Sequence, residues 1–179
     1  REYLRLQVPV AMINRDANLE SVDVVSSDNR HGGALAAHCL IAAGARRLAY
    51  VNLPSGTYSG VSRGAGFSEA AAMSGQPSIS VELLQGRLAG YEGGAAIAAQ
   101  LLDRPAERRP EGVFCANDTL AFGFMDAARH TFGLRVPGDL ALVGFDDVPM
   151  AAAASAWRRS GIIRQSSPSR SRPRPTGCS

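Results

Sequence analysis

The sequence contains no lysine and only three cysteines. All its strongly basic side chains are arginines, a bias that says little about function. Cys39, Cys115 and Cys178 stand far apart and form no C-x-x-C pair, so neither a disulfide framework nor a cysteine-based metal site is expected. The three histidines also lack the spacing of metal ligands. We therefore expect no metal and no cofactor, with thiols that are buried or incidental in a reducing compartment.

Long apolar runs are missing as well. No stretch approaches the ~18 apolar residues that a membrane span needs. The start, Arg1-Glu2-Tyr3, lacks the basic-then-apolar order of a signal peptide. The 179 residues, 45% of them hydrophobic, give room for one ordinary domain with a real core. We expect a soluble cytoplasmic protein with no membrane partner.

The net charge of +3 is unevenly distributed along the chain. Six arginines and no acid lie in residues 151–179, which leaves 13 arginines against 16 acids in residues 1–150. The main part is therefore mildly acidic and shows no nucleic-acid surface. Residues 150–179 form an irregular Arg/Ser/Pro-rich tail that we expect to be disordered. Two interpretations of it stay open, an out-of-frame reading and a genuine basic tail.

Apolar runs alternate with helical patterns along the rest of the chain. This alternation predicts an α/β fold with a doubly wound parallel sheet and right-handed crossovers. Asp28 is the expected N-cap of the first helix. The predicted strands are residues 6–13, 22–25, 48–53, 79–84, 113–116 and 140–143.

The stretch from Gly112 to Pro149 reads as one β-α-β unit with polar residues at both strand ends. Asn117-Asp118 follows the first of these strands, and Asp146-Asp147 follows the second. Ligands of open parallel sheets bind outside the carboxyl ends of the strands. Both pairs are therefore expected to face one ligand.

This stretch closely resembles the effector-binding domain of the lactose-repressor (LacI/GalR) family of transcription regulators. Further matching segments lie upstream and in the same order. The matching motifs are Ala116-Asn117-Asp118, Val136-Pro137-Gly138-Asp139 and Val143-Gly144-Phe145-Asp146-Asp147, preceded by Val25 to Asn29, Gly32-Gly33 and Arg63 to Phe67.

The resemblance implies a bilobal, periplasmic-binding-protein-like fold of type I. Residues 1–25 would be a remnant of the N-terminal effector subdomain and residues 26–149 the C-terminal one, so the domain would be truncated at both ends. It also implies a homodimeric regulator whose effector is a sugar or related small metabolite. Operator DNA would be bound only through a helix-turn-helix headpiece that these residues lack.

The residues expected to contact the effector are Arg63, Asn117, Asp146 and Asn14. By resemblance Arg63 contacts effector, and its guanidinium can bind hydroxyls or a carboxylate. Asn117 and Asp146 can hydrogen-bond a hydroxyl-rich ligand, although helix capping and a turn are their alternative roles. Asn14 would come from the other subdomain, or lie in a loop without function. Structural roles are expected for Asp118, Asp147 and Asp28.

Two other classes of protein stay open. A periplasmic-type sugar-binding receptor shares the bilobal architecture without a headpiece. An α/β hydrolase is suggested by Gly60-Val61-Ser62-Arg63-Gly64, which fits G-x-S-x-G, with Asp126 and His130 following in the required order. These last two side chains would lie on one helix pointing away from the crevice, so we expect no enzyme and no catalytic residue.

Overall fold

The computed structural model describes residues 11–13, 23–54 and 56–149. Its strands are β1 (Ala11–Ile13), β2 (Asp23–Val25), β3 (Arg47–Asn52), β4 (Ser80–Gln85), β5 (Gly112–Cys115) and β6 (Ala141–Val143). Its α-helices are α1 (Asn29–Ala42), α2 (Tyr58–Met73), α3 (Gly90–Leu102) and α4 (Asp118–Asp126), the last continued by a π-helical turn, Ala127–Thr131. The predicted tail, 150–179, lies outside the described residues, as does most of the predicted strand 6–13.

Strands β3 to β6 form one parallel sheet in the order β4-β3-β5-β6, and β1 pairs with β2 in a separate parallel sheet. The chain runs from β3 outward to β4, then returns to β5 on the other side of β3. With right-handed crossovers, this order places α2 on one face of the sheet and α3 and α4 on the other. The predicted doubly wound α/β fold is confirmed, and its strand order reverses between β3 and β5.

The core lies between the sheet and these helices. Tyr50 of β3, Phe67 of α2 and Phe114 of β5 form an aromatic cluster with ring centroids 5.1 to 6.1 Å apart. Phe145, just after β6, extends it, because its ring lies 6.5 Å from that of Phe114. The cluster therefore runs from the core to the carboxyl end of β6.

Glycine pairs let neighbouring helices touch backbone to backbone. A Cβ at Gly33 of α1 would lie 2.0 Å from the carbonyl oxygen of Arg63, and one at Gly66 of α2 would lie 1.9 Å from that of Arg30. No real Cβ atom tolerates such contacts, so both positions require glycine. The close approach holds the middle of α2 against the first turns of α1.

A second pair of glycines allows α3 and α4 to make backbone contact on the other face of the sheet. A Cβ at Gly94 of α3 would lie 1.9 Å from the Leu120 carbonyl oxygen, and one at Gly123 of α4 would lie 1.8 Å from that of Tyr91. Each face of the sheet thus carries two helices in direct backbone contact. Within the described part of the chain, no helix is long and apolar enough to span a membrane.

Candidate functional site

The carboxyl ends of β3, β5 and β6 bring a group of polar side chains to one edge of the sheet. Asn52 ends β3, Asn117 follows β5 and Asp146 follows β6. Because β3 and β5 flank the point where the strand order reverses, a crevice is expected at this edge. Arg63, on the second turn of α2, also reaches this edge.

The Arg63 side chain is buried, with only 7% of the residue exposed. Its Nε donates to Oδ1 of Asn29 at 2.9 Å, and its Nη1 donates to the carbonyl oxygen of Ala116. The guanidinium lies over the Phe145 ring, with Cζ 3.6 Å from the ring centroid. Burial lowers the pKa of Arg63, and the nearby Asp146 carboxylate opposes that shift. A guanidinium stays protonated in proteins even so, which makes this a fixed, buried positive charge.

Asp146 is the ionic partner of Arg63. One carboxylate oxygen, Oδ1, lies 3.5 Å from Nη2 of Arg63. The two differ in exposure, because 44% of the Asp146 side chain is accessible to solvent against 8% for Arg63. Burial raises the pKa of Asp146, and the positive charge of Arg63 lowers it by less. Asp146 is thus the part of the pair that faces solvent.

The backbone that presents Asp146 is unusual. Asp146 has φ 109° and Asp147 has φ 54°. Both values lie in the left-handed region of backbone conformation, which residues other than glycine rarely adopt. Aspartate tolerates this region better than most residues, and such outliers cluster at ligand sites. Hydrogen bonds from neighbouring residues hold this turn, because the intrinsic backbone preference of aspartate does not favour it.

Asp118, the first residue of α4, makes those hydrogen bonds. It is 3% exposed, and its carboxylate accepts from the backbone N–H of Val148 at 2.9 Å. Its own N–H donates to the carbonyl oxygen of Phe145 at 2.8 Å. Burial raises the pKa of Asp118, as do the charges of Asp146 and Asp147, against backbone hydrogen bonds that lower it. Asp118 is therefore tied by two hydrogen bonds to the segment that carries Asp146.

Asn117 and Asp28 both cap helices. Oδ1 of Asn117 accepts from the N–H of Leu120 at 2.9 Å, which makes Asn117 the N-cap of α4. The carboxylate of Asp28 accepts from the N–H of His31 at 3.0 Å and caps α1. Asn117 is half-buried at the edge of the crevice. Its amide nitrogen has no acceptor among the described residues, so it can still donate to a ligand.

Sequence reasoning missed two residues of this site, Asn29 and Phe145. Asn29 is 4% exposed, and its amide nitrogen donates to the carbonyl oxygen of Ser27 at 3.0 Å. That bond fixes the orientation of the side chain, so that Oδ1 faces Arg63. Both residues stood inside matching motifs, but their contacts with Arg63 span 34 and 82 positions of the chain and leave no local signal.

Two expected site residues remain, Asn14 and Asp147. Asn14 lies outside the described residues. Asp147 is half-buried beside Asp146, where its charge acts on Asp118. A separate cavity of about 340 Å³ lies at the opposite edge of the sheet. It is bordered by Cys39, Gly44 and Glu111 and by residues 137–143, at the amino ends of β5 and β6, and contains none of the expected ligand residues.

The G-x-S-x-G segment does not form a nucleophile elbow. Ser62 lies inside α2, which begins four residues earlier at Tyr58, rather than in a strand-to-helix turn. Asp126, the candidate acid, accepts a hydrogen bond from the Tyr91 hydroxyl at 2.8 Å on the other face of the sheet. The geometry therefore gives the hydrolase hypothesis no support.

Comparison with known proteins agrees with this architecture. The family described as "Periplasmic binding protein-like domain" matches residues 37–160. The transcriptional regulator DegA of Bacillus subtilis is 36% identical over 149 residues, which cover 83% of this chain and 43% of DegA. The ribose operon repressor of Halalkalibacterium halodurans is 30% identical over 84% of this chain and 43% of its own length. The chain thus spans about two fifths of these curated relatives.

Solved structures give the same result. A LacI family regulatory protein from Chloroflexus aggregans superimposes with a TM-score of 0.72 at 31% identity, covering 89% of this chain and 60% of that one. A LacI family regulator from Enterococcus faecium, solved with bound ribose, gives a TM-score of 0.73 at 29% identity over 86% and 55% of the two chains. The chain therefore belongs to the periplasmic binding protein-like domain family, in the form that LacI-type transcriptional regulators use as their effector-binding domain.

Proposed function

We propose that this chain binds a small hydroxylated effector, a sugar or related metabolite, at the edge of the sheet formed by Arg63, Asn117 and Asp146. The observation that carries this proposal is the buried Arg63 guanidinium with the half-exposed Asp146 carboxylate beside it. The pair offers a fixed donor and a charged acceptor side by side, which is what adjacent hydroxyl groups require.

The construction of the pair supports a binding role over a purely structural one. Burying a charge is costly unless it is paired and hydrogen-bonded. Asn29 and the Ala116 carbonyl accept hydrogen bonds from Arg63, and the Phe145 ring lies against the guanidinium. Asp146 is held in a left-handed conformation at the solvent side. Such preorganisation of donor and acceptor reduces the entropy lost when a ligand binds.

In the intact protein, this site would be the effector-sensing part of a DNA-binding transcription regulator. Relatives with "transcriptional regulator" or "repressor" in their names support this reading over a periplasmic receptor. A solute-binding protein from Actinobacillus succinogenes with bound D-allose also superimposes, but at 23% identity it indicates the fold alone. Ligand binding would shift the relation of two subdomains in a homodimer, and hence the spacing of DNA-binding headpieces carried elsewhere in the protein.

Thermal unfolding of the full 179-residue chain in the presence of sugars tests the binding role. Ribose, glucose, galactose and arabinose, each at millimolar concentration, form the first panel. At least one of them is expected to raise Tm in a concentration-dependent manner, because a ligand that binds only the folded state stabilises it by mass action. Asp139→Asn, a charge change at an exposed Asp paired with Arg135, is the control variant and should respond like the parent. Flat Tm values across this panel and across nucleosides, which also carry adjacent hydroxyl groups, would refute the proposal.

Ligand affinity is expected to fall on acidification at a higher pH than an ordinary aspartate would cause. Burial raises the pKa of Asp146 above its usual value of 3.8. The ionised carboxylate accepts hydroxyl hydrogen bonds and the protonated one accepts fewer, so affinity is full above the raised pKa and is lost as pH falls through it. Calorimetric titrations of an effector between pH 4 and pH 7.5 measure this profile. An affinity that stays constant over the whole range would remove Asp146 from the site.

A further inference from the structure

The charges around Arg63 restrict the chemical class of ligand, an inference that rests on the binding role proposed above. Two carboxylates act directly on the Arg63 guanidinium, and a third acts on one of those two. Asp146 is the ion-pair partner of Arg63, Asp118 acts on Arg63 through space, and Asp147 acts on Asp118. With all four groups ionised, this part of the crevice carries a net charge of −2. An anionic ligand would therefore be repelled by the negative charge of these side chains.

The hydrogen-bonding state of Arg63 points the same way. Arginine binds a phosphate or carboxylate best through two parallel N–H bonds from adjacent nitrogens. Here each of its three nitrogens already faces a protein acceptor, namely Asn29 for Nε, the Ala116 carbonyl for Nη1 and Asp146 for Nη2. An acidic ligand that reached the remaining Nη1 and Nη2 hydrogens would lie beside the like charge of Asp146, or would displace it and leave that carboxylate half-buried without its cation.

A hydroxyl group meets neither obstacle. It can accept from the N–H groups of Arg63 that remain and donate to Asp146, so the ion pair stays intact. The amide nitrogen of Asn117 offers a further neutral donor at the same edge. We infer that this site takes uncharged ligands with adjacent hydroxyl groups and rejects otherwise similar ligands that carry a phosphate or a carboxylate.

Matched pairs of neutral and acidic sugars test the inference. Ribose with ribose 5-phosphate, glucose with glucuronate, and galactose with galacturonate are titrated calorimetrically into the full chain at low ionic strength. For any pair in which binding occurs, the acidic member is expected to bind at least tenfold more weakly. Raising the salt concentration should narrow that ratio, since screening weakens repulsion between charges.

Asp147→Asn removes one negative charge and leaves in place the Arg63 contacts with Asn29, the Ala116 carbonyl and Asp146. This variant should reduce the ratio of neutral-sugar affinity to acidic-sugar affinity at least threefold. Asp139→Asn makes the same charge change at the opposite edge of the sheet and should leave that affinity ratio unchanged. An acidic sugar that binds as tightly as its neutral partner overturns the inference and leaves the binding role in place. If no member of any pair binds, the inference fails, and the proposed function fails with it where the thermal panel of sugars and nucleosides is also flat.

Discussion

Replacing Asp146 by asparagine is expected to weaken effector binding about 100-fold while changing the stability of the free chain little. Hydrogen bonds to a charged group contribute about 1.5–3 kcal/mol each against about 0.5–1.5 for neutral ones. Losing that difference at two hydroxyls amounts to roughly 2.8 kcal/mol, and each 1.4 kcal/mol is a factor of ten in affinity. Calorimetric titration with an effector found in the sugar panel measures the loss.

The free chain should tolerate this change because Arg63 keeps three of its four contacts. Asn29, the Ala116 carbonyl and the Phe145 ring remain in place. The ion pair is 3.5 Å long and open to solvent on the Asp146 side, so its loss should cost on the order of 1 kcal/mol, and the charge of Asp118 still acts on Arg63. Asparagine also tolerates the left-handed backbone at this position, where φ is 109°.

Asp146→Gly is the matched second variant, since it relaxes the backbone completely and removes the acceptor. Both variants should lose binding with melting curves close to that of the parent. A variant that melts like the parent and binds like the parent would show that Asp146 is a turn residue only. Arg63→Ala is less informative, because the removal of a buried side chain that satisfies Asn29 and the Ala116 carbonyl should also destabilise the fold.

Gly66→Ala should lower the free energy of unfolding by about 3 kcal/mol, or Tm by roughly 10 °C. In an isolated helix the same change would stabilise by about 1 kcal/mol, because alanine has the higher helix propensity. Here the added Cβ would lie 1.9 Å from the Arg30 carbonyl oxygen, a backbone atom that cannot rotate away. The helices α1 and α2 must separate, and Asn29 of α1 then loses its contact with Arg63 of α2.

Gly138→Ala is the matched control for this prediction. Its Cβ would lie 3.2 Å from the Cβ of Arg135, an exposed residue, so a shift of a few tenths of an ångström would accommodate it. Denaturant unfolding followed by circular dichroism gives both free energies. If Gly66→Ala were as stable as Gly138→Ala, the close contact between α1 and α2 would not exist in solution.

Local patterns were sufficient to predict the four strands of the main sheet and the class of fold. Residues 113–116 and 140–143 are short apolar runs closed by polar residues, and both correspond to parallel strands. The position of Asp146 at a strand end followed from the same pattern, because the carboxyl ends of parallel strands share one edge. Asp28 as N-cap also follows from local hydrogen bonding.

What local patterns could not predict depends on distant contacts. Arg63 was expected at the site from resemblance, but its burial, its bond to Asn29 and its stacking on Phe145 join three separate parts of the chain. The role of Gly66 depends on a carbonyl oxygen of another helix. The cavity near Cys39 is formed by elements nearly 100 residues apart, so no pattern in the sequence marked it.

Amide chemical-shift mapping of the ¹⁵N-labelled chain with an effector identified in the sugar panel tests the central claim most directly. The account predicts that the largest changes occur at the edge that carries Arg63, Asn117 and Asp146. Largest changes at Cys39, Gly44 and residues 137–143 would instead place the ligand in the cavity at the opposite edge of the sheet, and would contradict the account.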